Sequence, residues 1–296
     1  MIIFHGINQL RKFKNPVAAL GVFDGLHLGH RQILQAAARR ARQIGGTSIA
    51  MTFWPHPQKE EAIYSLEHRL RLIALLSVDA CIVINFTPDF GRITPEDFIK
   101  KILVGHIGVN TVYVGKNFRF GRNAKGDFKT LEKLSRVHDF KVKGFSVLKV
   151  AGKPISSTYI RRLIKKGRLE DAQKLLGRPV SILGTVIRGN ALGRWLGYAT
   201  SNINPHHEVI PPCGVYAVRV VFGDRTYKGV CYIGSRPTLG KRKYKHIHVE
   251  VHILDFARKI YGRDLEIRFL KKIRGERKFS SLSNLIRQIA KDIKAV

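Results

Sequence analysis

The feature that most constrains this chain is a change of rhythm near residue 180. Before it, strand-length apolar runs alternate with amphipathic helical patterns. "NPVAALGVF" reads as a buried strand, and "RQILQAAARRARQ" as a helix with Ile33, Leu34, Ala37, Ala38 and Ala41 on one face and arginines on the other. "TSIAMTFW" predicts a second strand, stopped by Pro55 and Pro57. "SLEHRLRLIALL" predicts a helix capped by Ser65, "ACIVINF" a third strand, and "TPEDFIKKIL" a helix with Thr94 as cap and Pro95 at its first position. "TVYVG" predicts a fourth strand, and "STYIRRLIKKGRLEDAQKLLG" a helical stretch. Alternation of this kind implies a parallel sheet with helices on both faces. From Ser181 onward the runs are strand-like: "SILGTVIRG", "GVYAVRVVFGDRTYKGVCYIG" with a hairpin turn at "FGD", "HIHVEVHIL" and "LEIRFL". A final helix carries Leu282, Leu285, Ile286, Ile289 and Ile293 on one side. The expected organisation is an α/β domain over 1–180 and a small, barrel-like β domain with a C-terminal helix over 181–296.

Charge limits the partners. The formal net charge is +32, with 53 Lys+Arg against 21 Asp+Glu. Both parts share it: 31 against 13 up to residue 180, and 22 against 8 beyond. Such a field attracts anions such as nucleotides or nucleic acid, and it also serves as a solubilising surface. Nucleic acid is the weaker expectation, because the charge is diffuse and aromatics do not cluster in the basic runs "KRKYK" and "RRLIKKGR". Cys81, Cys213 and Cys231 are odd in number, widely spaced and form no CxxC pair, which fits a reducing, cytoplasmic setting. No apolar run approaches the length of a membrane span, and the N-terminal apolar stretch is too short for a signal peptide. Small-molecule substrates are expected, and transient self-association is compatible with the composition.

The stretch "GVFDGLHLGHRQIL" lies at the carboxyl end of a predicted strand, where sheets of this kind bind ligands. Its two histidines, His27 and His30, allow three readings. A zinc site lacks the helical HxxxH spacing and any nearby Cys or Glu. An ordinary loop is the bland reading. A phosphate grip explains the residue types: Gly21, Gly25 and Gly29 let backbone approach a ligand, and the next helix points free N–H groups at the loop. Two imidazoles there could stabilise charge building at an attacked α-phosphate. Further on, "ISSTYIRRLIKKG" sets Ser156, Ser157 and Thr158 at a helix start with Arg161 one turn later. Alone it is a capped helix; beside "HLGH" it reads as a second phosphate clamp.

A strand, an HxGH loop and a helix resemble the nucleotidyltransferase superfamily. The linked marks "GVFDGLHLGH", "TFWPHP", "VGKNFRFG", "ISSTYIRRLI", "GNALGRWLGYATSNI", "PPCGVYAV", "GVCYIGSRPT", "VEVHILDF", "IYGRDLEI" and "IRGERKF" resemble one family over nearly the whole chain. That family is the bifunctional bacterial riboflavin kinase/FMN adenylyltransferase, or FAD synthetase. The resemblance implies a Rossmann-like adenylyltransferase domain over 1–180 and a β-barrel riboflavin kinase domain over 181–296. Riboflavin and ATP would give FMN; FMN and a second ATP would give FAD and pyrophosphate, with Mg2+ as metal. It further implies ATP and phosphate contacts at Gly21, Phe23, Asp24, His27, Gly29, His30, Ser157, Thr158 and Arg161, with His27 and His30 catalytic. Phe53, Pro55, Pro57, Asn117, Phe120 and Arg274 would lie on the flavin side.

In the kinase half, Gly184, Gly189, Gly193 and Gly197 punctuate a loop able to close on phosphates. Where the family has Pro-Thr-Ala-Asn, this chain has Ala199-Thr200-Ser201-Asn202; the implied Mg2+ positions survive as Thr200 and Asn202. The run "KHIHVEVHIL" alternates, with Ile247, Val249, Val251 and Ile253 on one face and His246, His248, Glu250 and His252 on the other. On residues alone, Glu250 is a general base, a transition-metal ligand beside His248 and His252, or a solvated acid. The resemblance selects the base, acting on the ribityl hydroxyl of riboflavin. Two other functions compete with the bifunctional enzyme. In one, the C-terminal domain is a kinase-silent flavin binder, because of Ala199 and Ser201. In the other, the chain is a nucleic-acid-binding derivative of the scaffold, because of +32.

Overall fold

A computed structural model describes residues 1–58, 60–188, 198–236 and 246–296. Contacts divide the chain into two compact units, one of residues 1–62 and 66–157, the other of residues 63–65 and 158–296.

The first unit is built on a six-stranded sheet: β1 (Ile2–His5), β2 (Val17–Leu20), β3 (Ser48–Trp54), β4 (Ala80–Asn85), β5 (Thr111–Gly115) and β6 (Lys141–Phe145). The order is β1-β4-β3-β2-β5-β6, and every pairing is parallel; a separate short antiparallel pair, β7 (Lys149–Val150) and β8 (Lys153–Pro154), follows. Between the strands run α1 (Leu28–Gln43), α2 (Leu66–Ala74), α3 (Pro95–Asp97 continuing through Phe98–His106) and α4 (Phe128–Val137). The period of two divides the sheet into faces. Ala18, Leu20, Ile49, Met51, Phe53, Ile82, Ile84, Val112 and Val114 form one core with Phe98, Ile99, Ile102 and Leu103 of α3 and Leu131 of α4. The buried side of α1, residues Ile33, Leu34, Ala37, Ala38 and Ala41, packs instead on the opposite face of β2, β3 and β5. The sequence places helices on both faces, and so does the structure.

Thr94 accepts the Asp97 N–H at 3.1 Å, the cap expected of it. Later α3 winds loosely, and the Ile107 N–H reaches the Ile102 carbonyl five residues back. β1 and β6 were not legible as strands. Both are edges, and β6 alternates Lys141 and Lys143 with Val142, a pattern that protects an edge rather than fills a core. Ser65 stands one residue before α2, where it was expected as a cap; its hydroxyl and N–H both donate to Glu208, at 2.7 and 2.9 Å.

In the second unit the single helical stretch expected after residue 157 is two helices. α5 (Ser157–Lys165) and α6 (Leu169–Leu176) part at Gly167, whose φ of +73° ends the first. The barrel closes through β9 (Ser181–Ile187), β10 (Ser201–Asn204), β11 (Gly214–Phe222), β12 (Arg225–Arg236), β13 (His246–Ile253) and β14 (Asp264–Arg274). The order is β10-β13-β12-β11-β14-β9, with β9 returning to β10. β11 and β12 are joined at Gly223-Asp224, the predicted hairpin. β10 is four residues long and carries no apolar run to announce it. The chain ends in α7 (Leu282–Lys294), capped by Ser281. Glu208, 2% exposed, also accepts the Leu183 N–H, and so fixes residues 63–65 into this unit. Gly189, Gly193 and Gly197 of the expected flap, and the run "KRKYK", lie outside the described residues.

Candidate functional site

In the first unit the strand order reverses between β2 and β5, and the loops leaving such a pair flank a ligand crevice. The loop after β2 is Gly21–His27. It descends through Phe23 at φ 54°, Gly25 at φ 71° and Leu26 at φ 41°, a run of left-handed residues that turns the chain sharply into α1. Phe23, Asp24 and Leu26 are each 1% exposed, so the turn is held from below.

His27 caps α1. Its Nδ1 accepts the His30 N–H at 3.3 Å, and its carbonyl accepts the Arg31 N–H at 3.0 Å. With Nδ1 accepting, the proton of a neutral His27 sits on Nε2, which is a donor. The two rings stack, centroids 3.6 Å apart at 18°, and Phe23 meets His30 edge-on at 5.4 Å. Gly29 permits the stack: a Cβ there would lie 3.3 Å from His27 Cε1. At Gly21 a Cβ would lie 2.9 Å from the Phe23 ring. No acid lies in the first turn of α1, so the helix sets no carboxylate of its own first turn against the positive end of its dipole.

Ser157 is brought to this loop from 133 residues away, its hydroxyl donating to the Asp24 carbonyl at 2.9 Å. Ser157 opens α5, which carries Thr158, exposed, and Arg161, 8% exposed.

Of the flavin-side positions, Phe53 and Phe120 are each 6% exposed. They belong to one aromatic series, Phe53 to Phe90 at 6.2 Å, Phe90 to Phe98 at 6.4 Å and Phe98 to Phe120 at 5.3 Å. Pro55 is exposed and Pro57 half-buried at the end of β3. Asn117 is exposed just after β5, and Gly115 makes room for it: a Cβ there would meet Asn117 Oδ1 at 2.8 Å.

Sequence reading missed Arg69, which is 0% exposed. Its Nη1 donates to the Val22 carbonyl at 2.8 Å, Thr52 Oγ1 at 3.0 Å and the Phe53 carbonyl at 3.3 Å. Thr52 in turn donates to the Val22 carbonyl at 2.8 Å. Burial lowers the Arg69 pKa, and the neighbouring Asp24 charge opposes that shift. One guanidinium therefore ties the loop after β2 to the last residues of β3. The signal was present: Leu66, Arg69, Leu70 and Ile73 fall at helical spacing, so Arg69 interrupts the apolar stripe of α2.

The barrel collects the kinase-side positions. Asn202 on β10 pairs with Glu250 on β13, and Thr200, just before β10, donates to Glu250 Oε2 at 3.3 Å. His248 bonds Glu250 Oε1, and His252 Nδ1 lies 2.8 Å from the Ala199 carbonyl. The transition-metal alternative is not supported: among the described residues no three His, Cys, Asp or Glu side chains converge for a metal ion. Thr200 and Asn202 bring oxygen donors, of the kind Mg2+ takes, to the neighbourhood of the Glu250 carboxylate. The expected alternation holds for Val249, Val251 and Ile253, which are buried, whereas Ile247, near the start of β13, is 50% exposed. Arg274 grips Asp292 of α7 with Nε at 3.0 Å and Nη2 at 2.8 Å, while Nη1 reaches the Gly275 carbonyl at 3.1 Å. Its guanidinium thus fastens the last helix to the barrel, an ion pair whose carboxylate is only 4% exposed.

The FAD synthetase family profile matches residues 10–159, and the riboflavin kinase profile residues 176–296. A bifunctional riboflavin kinase/FMN adenylyltransferase of Buchnera aphidicola is 35% identical over 100% of this chain and 98% of its own length. The enzyme of the same description from Escherichia coli K12 is 36% identical over 99% and 96%. That from Bacillus subtilis is 36% identical over 93% and 90%. A solved chain described as a macrolide-efflux protein from Streptococcus pneumoniae superposes with a TM-score of 0.87 at 27% identity, covering 100% of this chain and 98% of that one. Two profiles in tandem and relatives matched from end to end leave one assignment: this chain belongs to the bifunctional riboflavin kinase/FMN adenylyltransferase family, FAD synthetase part first and riboflavin kinase part second.

Proposed function

We propose that the chain makes FMN and then FAD, with adenylyl transfer in a functional module over 1–180 and phosphorylation in one over 181–296. The observation that carries the first reaction is the stacked His27–His30 pair at the start of α1, beside the strand reversal. The FMN phosphate attacks the α-phosphorus of ATP, the bond to the β-phosphate breaks, and pyrophosphate leaves. No base is needed, because the nucleophile is already an anion. His27 Nε2–H, its partner His30 and the N–H groups of α1 donate to the phosphate oxygens as charge builds. Gly21, Phe23, Asp24 and Gly29 shape the loop for them. Ser157, Thr158 and Arg161 hold the leaving phosphates. Phe53, Pro55, Pro57, Asn117 and Phe120 form the flavin side, with Arg69 holding Val22 and Phe53 in place from behind.

In the kinase reaction Glu250 takes the proton of the riboflavin ribityl hydroxyl, whose oxygen attacks the γ-phosphorus of ATP, and ADP leaves. His248 orients that carboxylate. Thr200 and Asn202 would hold Mg2+, which would supply charge neutralisation on the phosphates. The Ala199 and Ser201 departures leave these polar groups beside Glu250, which favours an active kinase over a silent one. Arg274 serves the flavin side through its hold on α7. A cytoplasmic setting fits Cys81, Cys213 and Cys231, which are odd in number, widely spaced and without a CxxC pair.

Product analysis with each flavin tests the proposal. Riboflavin with ATP and Mg2+ should give FMN and then FAD, and FMN supplied directly should give FAD. No FAD from FMN would remove the adenylyltransferase reading; FAD from FMN with no FMN from riboflavin would make the C-terminal domain kinase-silent.

A further inference from the structure

Strand register around the barrel lines up more than the residues placed so far. Asn202 on β10 pairs with Glu250 on β13, Glu250 with Tyr232 on β12, Tyr232 with Val215 on β11, and Val215 with Arg274 on β14. Residues directly paired across strands share a face. The flanking set Val251, Cys231 and Tyr216 is likewise in register and 0% exposed, so it fills the interior. The row from Asn202 to Val215 therefore lies on the other face, and Arg274 is reached from Val215 at a β-bulge between β11 and β14. Tyr232 stands in it one strand, about 5 Å, from Glu250, on the side toward Arg274.

Tyr232 lies down in this row. A Cβ built on Gly234, two residues along the same strand and face, would meet Tyr232 Oη at 2.1 Å and Cζ at 2.4 Å. The ring therefore lies over the space a side chain at 234 would fill. Its hydroxyl is pinned at the far end, donating to Glu276 Oε1 at 2.9 Å. Tyr232 keeps 37% of its surface exposed, the profile of a ring with one face on the sheet and one face open. Burial, and then the Glu276 bond, push its pKa up to about 12, so it stays a neutral donor.

We infer that Tyr232 is the aromatic platform on which the isoalloxazine ring of riboflavin rests in the kinase module. This rests on the kinase reading above and gives its flavin a docking surface. A ribityl chain whose terminal hydroxyl reaches Glu250 carries its planar ring along the row, and the next side chain toward Arg274 is the flat face of Tyr232. Aromatic rings stack favourably on such a face. Gly234 and Glu276 are then specificity elements: one leaves room for the ring to lie flat, the other fixes its angle.

Steady-state kinetics of FMN formation test the platform. Tyr232→Ala should raise KM for riboflavin about tenfold, the scale of a lost stacking partner, while kcat at saturating riboflavin and KM for ATP stay within about twofold. Tyr232→Phe keeps the ring and should restore KM to within about threefold of the wild type. Gly234→Ala, which lifts the ring, should raise riboflavin KM with no effect on ATP. Retained kcat shows that the variants fold; should Tyr232→Ala not fold, Gly234→Ala and Glu276→Gln, with a smaller rise expected, carry the test. Unchanged riboflavin KM in Tyr232→Ala, or in both of those variants, overturns the platform while the kinase reading stands. Wild-type protein that makes no FMN overturns both, and is told apart by that result.

Discussion

His27 illustrates how one side chain acquires a chemical role from its neighbours. As a helix cap it spends Nδ1 on the backbone, and that leaves Nε2 protonated and donating. We expect His27→Ala or His30→Ala to lower the FMN-to-FAD rate about a hundredfold or more, the cost of one preorganised donor. FMN formation from riboflavin should be unchanged in the same preparation, and chromatography of the flavin products checks both. Arg69 is the structural counterpart. Arg69→Met strands the Val22 and Phe53 carbonyls and should lower the stability of the first unit by about 2 kcal/mol in urea unfolding. Arg69→Lys, keeping a cation, should recover part of that loss and of the FAD-forming rate.

At the scale of the element, helix ends set two measurable responses. Asp127 caps α4, its carboxylate accepting the N–H and hydroxyl of Thr130, both at 2.9 Å. Those bonds hold its pKa below the usual carboxylate value. The folded value being depressed, the cap stabilises the protein above the unfolded pKa and is lost as pH falls through the folded one. Asp127→Ala should therefore melt below the wild type at neutral pH, and the gap should close as the pH drops below about 4. At the other terminus Asp292 holds Arg274 from within α7, and Gln288 donates to the same carboxylate at 2.9 Å. Asp292→Ala leaves a half-buried cation without its partner and should cost about 3 kcal/mol, read as an early unfolding step of the barrel unit.

Over the whole molecule two chemistries share one chain and one excess of positive charge. The modules should separate genetically. Glu250→Gln should make no FMN yet convert supplied FMN to FAD, the mirror image of His27→Ala. The +32 charge, spread over both parts, should draw anionic substrates in: KM for ATP and FMN should rise several-fold between about 20 and about 200 mM salt as the field is screened. An unchanged KM would mean that the charge serves solubility alone.

Periodicity was enough to place four strands of the parallel sheet, the barrel-like character of the second part and the helix after "HLGH", because apolar spacing follows directly from helix and strand geometry. Linked motifs were enough to name the family. What the sequence could not carry were the relations that only folding creates. The lysine-alternating edge β6 and the short β10 lack an apolar run, and Gly167 divides a helix whose two sides read alike. The place of Arg69 in the apolar stripe of α2 is legible in the sequence, but its partners are not, because they come from the ends of β2 and β3. Phe53 and Phe120 met in one aromatic series although 67 positions apart. Register alone set Asn202, Glu250, Tyr232 and Val215 in one row, since a strand's own period says which residues share a face but not which residue of a distant strand lies opposite. The residue types were the sequence's own determination; their pairing was decided by the barrel, because closing six strands into a ring leaves each one a single register in which both its faces are satisfied.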